Sequence, residues 1–93
     1  MNKFVLNFNQ NVKCLNDIIT ESIKNKHANI RKGQQAFNIA YDLFPKYADM
    51  IRSTVADPFY NDSVVNDFII AVATAMTLDN FTINFTIKPE SNA

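Results

Sequence analysis

Residues 81–88 read FTINFTIK, with Phe81, Ile83, Phe85 and Ile87 alternating against Thr82, Asn84, Thr86 and Lys88. A period of two belongs to a strand with one buried face, because successive side chains of extended backbone point to opposite sides. The other end of the chain carries a weaker form of the same alternation. Phe4, Leu6 and Phe8 interleave with Val5 and Asn7, so residues 3–9 are expected as a second strand. Two strands alone make a marginally stable ribbon. The ends are therefore expected to pair in a small antiparallel ribbon, to pack on helices, or to form a homodimer through the Phe81–Lys88 edge.

Working inward, the apolar spacing changes to three and four. Val12, Leu15, Ile18, Ile19 and Ile23 line one face, with Lys13, Asp17, Glu21 and Lys24 opposite, which predicts an amphipathic helix over residues 11–26 with Cys14 near the edge of its stripe. A polar connector from Asn25 to Asn29 leads to a helix over 33–44 carrying Phe37, Ala40, Tyr41 and Phe44. Gly33, near its start, either caps the turn or admits another backbone. Pro45 stops that helix for want of an amide hydrogen, and suits the first position of a short helix over 45–53. Asp57 precedes Pro58 and is biased away from helix, while Asn61 or Asp62 can cap a last helix over 62–77 with Val65, Phe68, Ile69, Val72 and Met76 inside. The expected fold class is α+β: one domain, residues 1–93, with four short helices and a strand at each terminus.

Composition narrows the function. The chain has 93 residues, 47% of them hydrophobic and 19% charged, as in a folded domain with a single core. Its formal net charge is zero, so attraction to nucleic acid would need a local patch. The patch available is Lys24, Lys26, Arg31 and Lys32, with His27 among them; as a solvated connector it has a plainer explanation. No apolar run approaches the roughly 20 residues of a membrane span. The opening residues lack an unbroken apolar stretch and there is one cysteine, so a reducing cytoplasm is the expected setting.

Catalytic chemistry finds few groups to use. Nucleophilic catalysis needs a base within reach of a hydroxyl or thiol, and His27 and Cys14 are the single histidine and the single cysteine. They read as a solvated residue and a packing residue. Two such groups also fall short of the three or four ligands of a zinc site, and one glycine cannot build a phosphate-cradling loop. No enzyme activity, metal or cofactor is expected.

The central residues Arg31-Lys32-Gly33-Gln34, Phe37-Asn38, Pro45, Ile51-Arg52-Ser53-Thr54 and Asp57-Pro58-Phe59-Tyr60 resemble a group of small bacteriophage-encoded accessory proteins with the pattern R-x-G-Q, F-N, P, I-R-G-T, D-P-F-Y. The resemblance spans residues 31–68 and departs from the pattern at Ser53, where the pattern has glycine. It implies the infected host's cytoplasm and supplies no reaction. Physically, the same residues look architectural, with Arg52 able to pair with Asp49 or Asp57. Their functional reading is a partner-binding loop of aromatic anchors with acidic flanks, Asp57, Phe59, Tyr60 and Asp62, beside the basic Lys24, Lys26, Arg31 and Lys32. The leading expectation is non-catalytic binding of a host or phage protein, with inhibition of a host defence or replication protein as its outcome. A nucleic-acid module using the basic cluster, with the second and third helices as a helix-turn-helix-like pair, and a self-associating assembly protein are the alternatives.

Overall fold

The first helix begins at a cap. In the computed structural model, which describes residues 2–85, Asn2 has extended backbone and its side-chain oxygen accepts the Val5 amide at 2.8 Å. That satisfies one of the amides left open at a helix start. From there α1 runs unbroken over Lys3–Lys24. It is followed by α2 (Lys32–Leu43), α3 (Pro45–Ile51), a 3₁₀ turn at Asp62–Val64 and α4 (Val65–Leu78). The expected α+β class is therefore wrong: among the described residues every regular element is helical and there is no strand.

The strand expected at residues 3–9 fails because its apolar residues also fit a helix. Val5, Phe8, Val12 and Leu15 fall at spacings of three and four, continuous with the stripe that follows, and the Asn2 cap starts that helix early. A strand would have put Phe4, Leu6 and Phe8 on one face. In the helix only Phe8 packs against the core, while Phe4 and Leu6 stay 45% and 53% exposed.

The strand expected at residues 81–88 is corrected for a different reason. Residues 81–85 are irregular and have no β-partner, while residues 86–88 lie outside the described residues. Asp79 caps the end of helix α4, and Asn80 follows in the left-handed conformation (φ 58°). The Asn80 amide bonds to the Thr77 carbonyl at 3.0 Å and the Phe81 amide to the Met76 carbonyl at 2.8 Å. These two bonds turn the chain sharply at a helix end. The tail then crosses α1, where side-chain amides satisfy it. Asn11, fully buried, donates to the Phe81 carbonyl at 2.8 Å and accepts the Ile83 amide at 2.8 Å. Gln10 donates to the Ile83 carbonyl at 3.3 Å, and Asn11 also donates to Thr77 Oγ1 at 3.0 Å. A homodimer built on a Phe81–Lys88 strand consequently has no support, since that strand is absent from the described part.

Around this strap the helices share one core. Leu15, Ile18 and Ile19 of α1 meet Phe37 and Ala40 of α2, Ala48 of α3 and Phe68, Val72 and Met76 of α4, all under 5% exposed. Ile83, 1% exposed, belongs to the same cluster. Pro45 occupies the first turn of α3, so the break after Phe44 costs no helical hydrogen bond.

A polar brace ties α3 to the end of α4. Asp79 accepts from Lys46 Nζ at 2.9 Å and from the Tyr47 hydroxyl at 2.7 Å. The Lys46 and Tyr47 hydrogen bonds hold the Asp79 carboxyl below the usual carboxylate range. Burial, reinforced by the bond to Asp79, pushes the Tyr47 hydroxyl up to about 12. The signs give a two-sided prediction. Asp79, depressed in the folded state, adds stability above the usual carboxylate range that is lost as pH falls through its folded pKa. Tyr47, raised, adds stability that is complete below pH about 10 and lost as pH rises toward about 12. Asp79→Asn should flatten the acid limb of a stability-against-pH curve, and Tyr47→Phe the alkaline limb, as measured by urea unfolding across pH.

Candidate functional site

The segment after α3 folds back onto the start of α2. Arg52 caps the end of α3 and Ser53 has φ 63°, a left-handed turn that reverses the chain. Asp57 fixes the loop that follows: one carboxylate oxygen accepts the Ser53 amide at 2.7 Å and the other the Phe59 amide at 2.9 Å. Pro58 is buried, and its carbonyl lies so close to α2 that only glycine fits there; a Cβ on Gly33 would sit 2.0 Å from the Pro58 oxygen. The Asp62 carboxylate then accepts the Gly33 amide at 2.9 Å, capping α2 from 29 residues away. Arg31 donates to the Phe59 carbonyl.

Two stretches far apart in sequence are thus one structure. Residues 31–33 and 57–62 lock together through Arg31, Gly33, Pro58 and Asp62. Ser53 holds a left-handed backbone, which is free to glycine and disfavoured for other residues. Ser53→Gly should raise stability by about 0.5 kcal/mol after the larger unfolded-state entropy of glycine is subtracted, whereas Ser53→Val should lower it by about 1–2 kcal/mol. Urea midpoints of the two variants check the opposite signs.

On this scaffold sits a row of aromatic rings. Tyr41 stacks on Phe37 (6.1 Å between centroids), Phe37 meets Phe59 edge-on (6.0 Å), and Phe59 meets Tyr60 (4.9 Å). A guanidinium lies at each end. Arg52 lies 5.0 Å from the Phe37 centroid and 5.2 Å from that of Tyr41, and Arg31 lies 5.4 Å from that of Tyr60. Beside the row opens a cleft of about 280 Å³ lined by Phe37, Arg52, Ser53, Asp57, Phe59 and Tyr60. Tyr60 is 81% exposed, and Val55 on the same loop is almost wholly so.

Compared with protein-family models, with curated proteins and with solved structures, the chain matches none.

The eight expected partner-binding residues are divided by the structure. Asp57 accepts the Ser53 and Phe59 amides with its two oxygens, and one oxygen of Asp62 accepts the Gly33 amide, so both carboxylates also hold the loop. Arg31, Phe59 and Tyr60 form one contiguous face. Lys32 adjoins it at the first position of α2, and Lys24 and Lys26 stand at the end of α1 and in the connector beyond; none of the three makes an ion pair with a described residue. Arg52 pairs with Asp49 at 2.9 Å and not with Asp57. The residues that sequence reasoning left out of the site are Arg52, Phe37 and Ser53. The three-residue step from Arg52 to Asp49 was a visible signal for the ion pair, but nothing in the spacing signalled the fold-back that puts Arg52 on Phe37.

Elsewhere the described residues offer little chemistry. Cys14 is 2% exposed in the core, touched by Gln10 Nε2 at 3.4 Å, while His27 is exposed in the connector. No cluster of three or more His, Cys, Asp or Glu suited to a metal occurs among the described residues, and no helix there is long and apolar enough to cross a membrane.

Proposed function

We propose that this chain is a non-catalytic binding module that meets a protein partner through the face formed by Arg31, Phe59 and Tyr60. One observation carries the reading: Tyr60 is largely exposed yet held on two sides, by the Arg31 guanidinium and the Phe59 ring. A fixed aromatic that the core does not bury loses little freedom on binding, and tyrosine and arginine are the residue types that most often dominate interfaces. In the phage setting that the resemblance implies, the partner is a host or phage protein, and binding acts by covering a surface of it.

The test uses the full chain with a photo-crosslinking phenylalanine analogue at position 60, or at exposed Asn16 on α1 as a control, in lysate of the organism that carries the gene. A discrete crosslinked product at position 60, absent at position 16 and lost with Arg31→Ala, is expected. Equal products at both positions, or none at position 60, would overturn the reading.

A further inference from the structure

The strap that follows α4 is held differently from the helices it crosses. Past the Phe81 amide, no backbone-to-backbone hydrogen bond ties residues 82–85 to any described residue. The Phe81 carbonyl and the Ile83 amide and carbonyl are satisfied instead by the side-chain amides of Gln10 and Asn11. Of the strap's three large apolar side chains Ile83 alone is buried, while Phe81 and Phe85 stay 36% and 44% exposed. A segment with so few backbone bonds and so little buried surface belongs at the low end of local stability.

The root of the strap is a single residue. Asp79 is fastened to α3 by Lys46 and Tyr47, so the end of α4 is anchored. Asn80 comes next, left-handed, at the position just past a helix where glycine is usual, and the Asn80 and Phe81 amides close the turn on the Thr77 and Met76 carbonyls. Left-handed backbone is disfavoured for a residue with a Cβ. With Asn80 in helical backbone the chain would run on along α4 and leave the Asn11 amide. Beneath the strap lies the chain's one cysteine: Gln10 Nε2 reaches the Ile83 carbonyl at 3.3 Å and Cys14 Sγ at 3.4 Å, and Cys14 is 2% exposed.

We propose that residues 80–85 are a latch that opens about Asn80 while the helices stay packed, uncovering Cys14 and the socket of Ile83. The latch stands apart from the Arg31, Phe59 and Tyr60 face and does not depend on it. Opening gives up one apolar socket and the side-chain bonds of Gln10 and Asn11, whose amides then meet water, and it releases the left-handed turn. Global unfolding gives up the whole core, so the two processes differ in the surface they expose and hence in their response to urea.

Cys14 itself reports the opening. The full-length protein is mixed with an aromatic disulfide reagent, dithiobisnitrobenzoate, at urea concentrations well below the unfolding midpoint. Cys14 should react at least about a hundredfold faster than the global unfolding equilibrium permits, with less than about a third of its urea slope. Asn80→Gly, which accepts the left-handed turn, should slow the reaction by about threefold, and Asn80→Ala should speed it by about as much. Gly33→Ala, which strains the 57–62 loop, should leave the rate without urea unchanged although it lowers global stability. Should that variant fail to fold, the urea slope of the unsubstituted protein decides. A reaction with the full urea slope of global unfolding, a rate that Gly33→Ala raises in step with its lost stability, or equal rates for the two Asn80 variants overturns the proposal. A thiol that stays unreactive until the protein unfolds overturns it as well.

Discussion

Asn11→Ala should destabilise the protein by about 3–4 kcal/mol, a large part of the roughly 5–14 kcal/mol expected for a domain of this size. The magnitude follows from what is left behind. The Ile83 amide and the Phe81 carbonyl both bond to this one side chain, and Ile83 is 1% exposed, so truncation strands the Ile83 amide away from water and leaves the part-buried Phe81 carbonyl without its donor. Each buried group without a partner costs about 1–3 kcal/mol, and the space vacated by the amide adds to it. Asn11→Asp is the sharper variant. A carboxylate could still accept from Ile83 but could not donate to Phe81 or to Thr77 Oγ1. Buried and facing a carbonyl, its pKa would be raised, so the variant should be least stable near neutral pH and recover as acid protonates it. Urea unfolding at two pH values reads the effect, and a loss below about 1 kcal/mol for Asn11→Ala would contradict the strap described here.

The second large effect is expected at Gly33, and its sign is informative. Alanine normally improves a helix relative to glycine by about 1 kcal/mol. At position 33 the added methyl would meet the Pro58 carbonyl oxygen at 2.0 Å, with the Pro58 carbonyl carbon and an Asp62 oxygen at 3.0 Å. Two of these are backbone atoms and cannot swing aside, so the 57–62 loop must lift from α2. It would then lose the Asp62 cap and the Arg31 bond to Phe59. Gly33→Ala should therefore cost about 3 kcal/mol, at the upper end of overpacking effects. A stabilised Gly33→Ala protein would mean that the loop does not rest on α2.

These residues also mark what could and could not be read from the sequence. The helices were legible where apolar residues repeat at three and four, as at Leu15, Ile18 and Ile19 or at Phe68, Ile69 and Val72, because one buried face imposes that spacing. Pro45 marked the α2–α3 break because proline cannot continue a helix. The ends misled for separate reasons. Residues 4–8 satisfy both periods, and a cap at Asn2, with no capping-box glutamate or glutamine three residues later to advertise it, decided for helix. In the tail Phe81, Ile83 and Phe85 alternate in an irregular segment lying on the helices, with Phe81 and Phe85 both packed on Phe44 and Ile83 in the core. Period two reports which side chains share a face, not the partner that satisfies the backbone. That partner is the side-chain amide of Asn11, 72 positions from Ile83, and no local pattern encodes it.

The candidate site was legible as a set of residue types and illegible as an arrangement. Phe59 and Tyr60 drew attention as aromatics next to proline. Their acidic neighbours looked like part of the same surface, and only the backbone of Ser53, Phe59 and Gly33 shows that Asp57 and Asp62 serve the fold. Arg31 and Arg52 are 21 positions apart and meet the same aromatic row because the loop doubles back at Ser53.

Gly33, Asp57, Pro58 and Asp62 thus build the platform, and Tyr60 is the residue that it presents. The most direct test is the urea-unfolding free energy of Tyr60→Ala. With only an exposed cation–π contact and one edge-on ring pair to lose, it should fall within about 1 kcal/mol of the unsubstituted protein. A loss of about 3 kcal/mol or more would show Tyr60 to be part of the fold, and the face would have no aromatic anchor to spare for a partner.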